Sequence, residues 1–238
     1  MTDRTERDNQ TLIAFWDRAF SGPGNGGEQP CAAGPDAWRD LAPSEKLFQA
    51  AVSLACRSRV LDYGCGSGWA GIIAAKSGCA DVTSVDVSRA AVRAAQRCAE
   101  LCGAGGSLTV RQVPPDWLQS VPDSTYDGFI CSSVLDVIPP ETSEEIIRQS
   151  ARITAPDACV IIGMNYFLSP AAAAARNLVL EDGCRLYVDG VLRLVSRSDE
   201  AWTALFAPYY IVDRLEHFAW PGEAAETRRL FYLRKRTE

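Results

Sequence analysis

Histidine is nearly absent from this sequence, one residue in 238, and methionine occurs only twice. With His217 alone and no Cys-x-x-Cys pair among nine cysteines, the usual ligands of a structural zinc are missing, and no metal is expected. The thiols, odd in number, read as small buried hydrophobes of a reducing compartment, so a cytoplasmic location is expected. Long apolar runs are missing too. Cys159 to Met164 and Ala171 to Ala175 fall far short of a bilayer. The opening MTDRTERDNQ has no apolar stretch, so neither a secretory signal nor a membrane partner is expected. Positive charge is in deficit: 24 Lys and Arg stand against 30 Asp and Glu, a formal net charge of −6. That balance speaks against nucleic acid as a partner. What is present is an ordinary globular mixture, 47% hydrophobic and 23% charged, in a chain long enough for a full core.

Leu12, Ile13, Phe15, Trp16, Ala19 and Phe20 recur at helical spacing, and the glycine-rich Ser21 to Gly27 ends that helix. A second helix is predicted from about Ser44 to Cys56. From Arg59 the pattern becomes strand, helix, strand, helix: Val60–Asp62, Trp69–Ser77, Val82–Asp86, then a helix capped by Ser88 and ended by Gly103. Further strands are expected at Ser107–Arg111, Tyr126–Ser132 and Cys159–Asn165, with Thr142-x-x-Glu145 as a capping box between the last two. Such alternation means a parallel sheet covered by helices on both faces. Asp189-Gly190 signals a hairpin between Arg185–Val188 and Val191–Val195. Tyr209–Ala219 and Arg228–Lys235 leave no room for a crossover helix and must pair antiparallel. The chain thus divides into a helical cap segment, 1–57, and a core domain, 58–238, in which 166–197 is an insertion expected to act as a substrate lid. The cap is expected to be separable from the cofactor motifs, which begin only at Val60.

The chemistry concentrates in Val60 to Gly68, VLDYGCGSG. A strand ending in an acid, followed by glycines 64, 66 and 68, sets bare backbone against a ligand at a helix N-terminus. Asp86 closes the next strand where an acid reaches a ribose diol. Gly66-x-Gly68-x-x-Gly71 also satisfies the dinucleotide pattern, but the strand already ends at Asp62 and the loop is too long for a pyrophosphate turn. An acid there suits an α-amino group or the neighbourhood of a sulfonium better than a phosphate.

These stretches resemble the class I S-adenosylmethionine-dependent methyltransferases. VLDYGCGSG resembles their first motif, and TSVDVS (83–88) their second, with Asp86 on the ribose and Val87 beside the adenine. Pro115-Asp116-Trp117-Leu118 resembles the segment that binds the adenine amino group, and TYDGFICSSVLDVIP (125–139), with Asp127, the fourth-strand motif. The resemblance implies a Rossmann-like three-layer α/β sandwich with a mostly parallel seven-stranded sheet in the order 3-2-1-4-5-7-6. It implies S-adenosylmethionine as cofactor, S-adenosylhomocysteine as product, and cofactor contacts from Asp62, Gly64, Cys65, Gly66, Gly68, Asp86, Val87, Asp116, Trp117 and Ser132. Departures narrow it: Asp136 and Val137 stand where many members carry a histidine pair, and neither an Asn/Asp-Pro-Pro-Tyr nor a Pro-Cys motif occurs. A small-molecule acceptor is left, its atom (O, N, S or C) open.

Candidate catalytic residues are Asp136 past the fourth strand, Tyr166 past the fifth, and His217, which also reads as a plain edge-strand residue. Asn165 and Tyr166 are expected to line the substrate pocket, Trp16 and Trp38 to close over the cofactor from the N-terminal segment, and Trp16 to belong to the lid. The alternatives are an NAD(P)-linked oxidoreductase built on glycines 66–71 and a non-catalytic S-adenosylmethionine-binding partner protein. Oligomeric state is not encoded in any motif.

Overall fold

A computed structural model of the chain describes residues 3–21 and 36–236; Gly22 to Gly27, where the sequence places a loop, lie outside them. The helices among the described residues are α1 (Asp3–Ser21), α2 (Glu45–Val52), α3 (Trp69–Ser77), α4 (Arg89–Leu101), α5 (Pro140–Ile153), α6 (Pro170–Ala175) and α7 (Asp199–Phe206). The strands are β1 (Val60–Tyr63), β2 (Val82–Asp86), β3 (Leu108–Gln112), β4 (Tyr126–Ser132), β5 (Thr154–Met164), β6 (Leu180–Glu181), β7 (Arg185–Val188), β8 (Val191–Val195), β9 (Tyr210–Phe218) and β10 (Arg228–Lys235).

Seven strands form one sheet in the order β3-β2-β1-β4-β5-β10-β9. Counting only its own strands, this is the expected 3-2-1-4-5-7-6. β1 to β5 run parallel, and β10 is antiparallel to both β5 and β9. The central strands β1 and β2 are covered on both faces, so burial runs along them without alternating. One face packs α2, α3 and α4 through Leu47, Ala50, Ile72, Ile73, Cys98 and Ala99. The other packs α5 and α7 through Ile146, Ile147, Trp202 and Phe206.

Two local expectations are corrected. Thr142 is not an N-cap: α5 starts at Pro140 with Pro139 before it, because a proline at the first helical position has its φ already set and no N–H to lose. β5 starts five residues earlier than expected and pairs with β4 through a register shift between Tyr126 and Gly128. The Asp189-Gly190 turn holds, with φ of 51° and 76° that match the mirror-image turn favoured in hairpins. It joins β7 to β8 in a separate sheet, β6-β7-β8.

Candidate functional site

At the carboxyl ends of β1, β2 and β4 lies a cavity of about 740 Å³, predominantly apolar in its walls. Its floor is the loop between β1 and α3. The amides of Gly64 and Cys65 both donate to Val85 O, at 2.9 and 3.0 Å, which folds the loop across the end of β2. Gly66 faces the cavity at φ +52°, in the left-handed region that glycine enters freely. A Cβ there would stand 3.2 Å from the Phe20 ring, so α1 already roofs this backbone closely. Asp86 lines the same space. Its Oδ2 accepts from the Gly66 amide at 3.0 Å and its Oδ1 from the Ser88 amide at 2.8 Å. Burial pushes the Asp86 carboxyl up, and those two N–H donors oppose the shift.

The expected cofactor residues divide sharply. Gly64, Cys65, Gly66, Asp86, Val87 and Ser132 line the cavity. Asp62 does not: it is buried under the loop, and its Oδ2 accepts from the Gly71 amide (3.1 Å) and the Ser84 hydroxyl (2.9 Å). It braces α3 against β2, and burial raises its carboxyl to about 7. Gly68 is also a packing residue, since a Cβ there would come within 2.9 Å of Ala95 Cβ. Asp116 is exposed, and Trp117 packs into the core under Arg111, so Val113 and Pro115 form that wall instead. Asp127 stands at the opposite end of β4 and accepts from the amides of Ser58 and Arg59.

The catalytic candidates stand outside the cavity wall. Asp136 is fully buried, accepts from the Asn165 amide at 2.7 Å and its side chain at 3.2 Å, and sits 4.0 Å from Arg229. Asn165 is consumed by this network, Tyr166 packs with Leu168 and Ala173, and none of the three lines the cavity. His217 is exposed beside Asp199 at 3.0 Å, away from the site. Trp38 is a core residue stacked on Phe48. Trp16 does line the cavity, with Asn9, Leu12, Ile13 and Phe20 of the same helix. No residue of 166–197 lines it. The insertion instead holds α1: Tyr187 donates to Asp8 at 2.7 Å, and Arg185 reaches Asp8 at 3.6 Å and Glu141 at 2.8 Å.

Several wall residues carry no motif and were not legible in the sequence: Asp40 to Pro43, Trp69, Thr142, Ile146, Trp220 and Pro221; Val134, Val137 and Ile138 fall within the fourth-strand motif but were not singled out as lining. One signal is conformational: Ser133 has φ +57°, uncommon for a non-glycine residue, at the turn that aims Ser132 and Val134 inward. Among the described residues no group of His, Cys, Asp and Glu is placed to hold a metal. Burial pushes the Cys65 thiol well up, away from the thiolate form that a nucleophile needs.

The residues present fit S-adenosylmethionine. At the start of α3 the Gly71 N–H goes to Asp62, Gly68 offers no side-chain cap and the Trp69 and Ala70 N–H groups are left for a carboxylate, while Asp86 faces the cavity for a ribose diol. Strand order and site together define the class I S-adenosylmethionine-dependent methyltransferase fold. Residues 60–157 match the family described as "Methyltransferase domain". A 79-residue stretch is 34% identical to ribosomal protein L11 methyltransferase of Acetivibrio thermocellus, over 33% of this chain and 25% of that protein. The chain thus spans a quarter of the length of that relative. The structure of the N-methyltransferase NodS from Bradyrhizobium japonicum WM9, in complex with S-adenosyl-L-homocysteine, superposes with a TM-score of 0.63 at 14% identity, over 95% of this chain and 98% of that one. The [4+2]-cyclase SpnF superposes at 0.64 and 19% identity, over 87% and 74%. At these identities the structures show a shared fold.

Proposed function

We propose that the protein transfers the methyl group of S-adenosylmethionine to a small molecule, leaving S-adenosylhomocysteine. The observation that carries this reading is that Asp86 and the glycine loop open into the same apolar cavity that α1 roofs with Trp16 and Phe20. When bound, the cofactor supplies an activated methyl group. The chain's part is then to hold, orient and exclude water. Asp86 accepts the ribose hydroxyls, the start of α3 receives the carboxylate, and the apolar walls fix the acceptor. No histidine or lysine lines the cavity among the described residues, so the reading assigns no general base.

In this reading 1–57 is the cap segment, 58–238 the core, and 166–197 a buttress that keeps α1 over the cavity. The reaction is placed in the cytoplasm on the thiol-rich composition; no helix among the described residues is long and apolar enough to cross a membrane.

Calorimetry with S-adenosylhomocysteine, S-adenosylmethionine, NAD and NADP tests the cofactor. Both S-adenosyl compounds should bind and neither dinucleotide should; the reverse pattern would establish the oxidoreductase alternative. Incubating the protein with methyl-labelled S-adenosylmethionine and a small-molecule extract should then move label into that fraction. Cofactor binding without transfer would leave a non-catalytic binding protein.

A further inference from the structure

We infer that the acceptor carries no anionic group: the cavity selects a neutral or cationic molecule with an apolar body, and Asp40 at its wall turns anions away. This rests on the methyl-transfer reading above and adds the class of substrate. Among the described residues, no Lys, Arg or His side chain lines the cavity, while two carboxylates, Asp40 and Asp86, do. The stretch 22–35 reads GPGNGGEQPCAAGP and contains no basic residue, so it cannot supply one wherever it lies.

Neighbouring guanidiniums are already engaged. Arg228 stacks on the wall residue Trp220 at 3.4 Å and gives its N–H groups to Glu223 and Asn165. Arg193 lies over Phe15 at 4.3 Å, behind the helix face that Trp16 and Phe20 present.

Helix N-termini can bind anions without a cation, and here they are closed except at α3. α4 is capped by Ser88 and again by Asp17, whose Oδ1 accepts from the Ala90 amide at 2.9 Å. α5 begins Pro139-Pro140, which have no N–H; the amides of Thr142 and Ser143 go to Pro139 O, and the Glu141 carboxylate in that first turn is held by Thr5 and Arg185. The cofactor's own carboxylate therefore has one place to go, the start of α3, and an acceptor's anion has none. An unpaired anion in apolar surroundings is strongly disfavoured. By contrast, the wall carries the aromatic rings of Trp16, Phe20 and Trp69, a residue type that stacks on flat molecules and attracts cations.

The test is a fragment library balanced among neutral, cationic and anionic members, screened by NMR on the full chain saturated with S-adenosylhomocysteine. Binders are counted when they shift the Trp16 indole resonance, assigned with Trp16→Phe. Anionic binders should be at least tenfold scarcer than the other two classes, and Asp40→Lys, at an exposed position, should narrow that gap at least threefold. Anions as frequent as neutral fragments would overturn the inference, as would a library in which nothing of any charge binds. An unchanged count in Asp40→Lys would remove Asp40 from the selection. Failure of S-adenosylhomocysteine to bind would overturn the methyl-transfer reading instead; the same screen on the unliganded chain then still decides the charge preference.

Discussion

Two acids that look alike in the sequence, each ending a strand, do different work because one faces the cavity and the other faces the sheet. Asp86 lines the ligand space, so Asp86→Ala should weaken S-adenosylhomocysteine binding by about 2–3 kcal/mol, the range for charge-assisted hydrogen bonds, as read by calorimetry. Asp62 lies beneath the loop, and its consequence is pH-dependent stability. Both its bonds fall on Oδ2, so a proton on the other oxygen costs neither. Its folded carboxyl, raised to about 7, lies above the unfolded value of about 3.8, so the folded state binds the extra proton between them. That contribution is complete below pH ~4 and is lost as pH rises through about 7. Melting curves of the unliganded protein from pH 4.5 to 8 should show a decline that Asp62→Asn flattens; parallel curves would mean Asp62 stays ionised throughout. Gly71 completes this set. A Cβ there would meet Ser84 Oγ at 2.1 Å and Asp62 Oδ2 at 3.1 Å. Gly71→Ala should cost about 1–3 kcal/mol of overpacking, a fall in Tm of roughly 3–10 °C, although the residue touches no ligand.

α1 is a roof fastened at both ends. Toward its start, Asp8 and Asn9 bind Tyr187 and Thr142 at 2.7 and 3.0 Å, and Leu12, Phe15 and Trp16 pack against Val191, Leu192 and Val195. Toward its end, Asp17 Oδ1 accepts from the Ser88 hydroxyl and the Ala90 amide, both at 2.9 Å. The Asp17 carboxyl is held below its usual range, first by the Ala90 N–H and then by the Ser88 hydroxyl. Since Ser88 also donates its amide to Asp86, the fastening of the roof and the cavity-lining acid share one turn. Asp17→Ala should cost about 1 kcal/mol in urea denaturation, as loss of a helix cap does, and should speed trypsin cleavage at Arg18. Unchanged cleavage would show that the apolar contacts of α1 hold it without the Asp17 fastening.

Taken as a whole molecule, cap and cofactor site are less separable than the sequence suggests. Phe20 and Trp16 share the cavity with Gly66 and Asp86, so a chain lacking residues 1–35 should bind S-adenosylhomocysteine more than tenfold more weakly by calorimetry. Retention within tenfold would mean that α1 serves only the acceptor.

The sequence by itself determined the sheet and the glycine loop after β1. Strand and helix bounds such as Trp69–Ser77, Val82–Asp86, Tyr126–Ser132 and Arg228–Lys235 follow from apolar runs, caps and glycine stops, which act over a few residues and are written in chain order. Gly66 and Asp86 were legible for the same reason, since a left-handed turn and a strand-end acid are local demands. What only the tertiary structure decided is which side chains face the cavity. Asp62, Gly68, Asp136, Asn165 and Tyr166 sit near the right strand ends yet turn into packing or buried hydrogen bonds, while Leu41, Ile146 and Trp220 arrive from separate segments with no motif. A wall of this kind is set by long-range packing of elements, and apolar residues that line a cavity are chemically the same as those that fill a core.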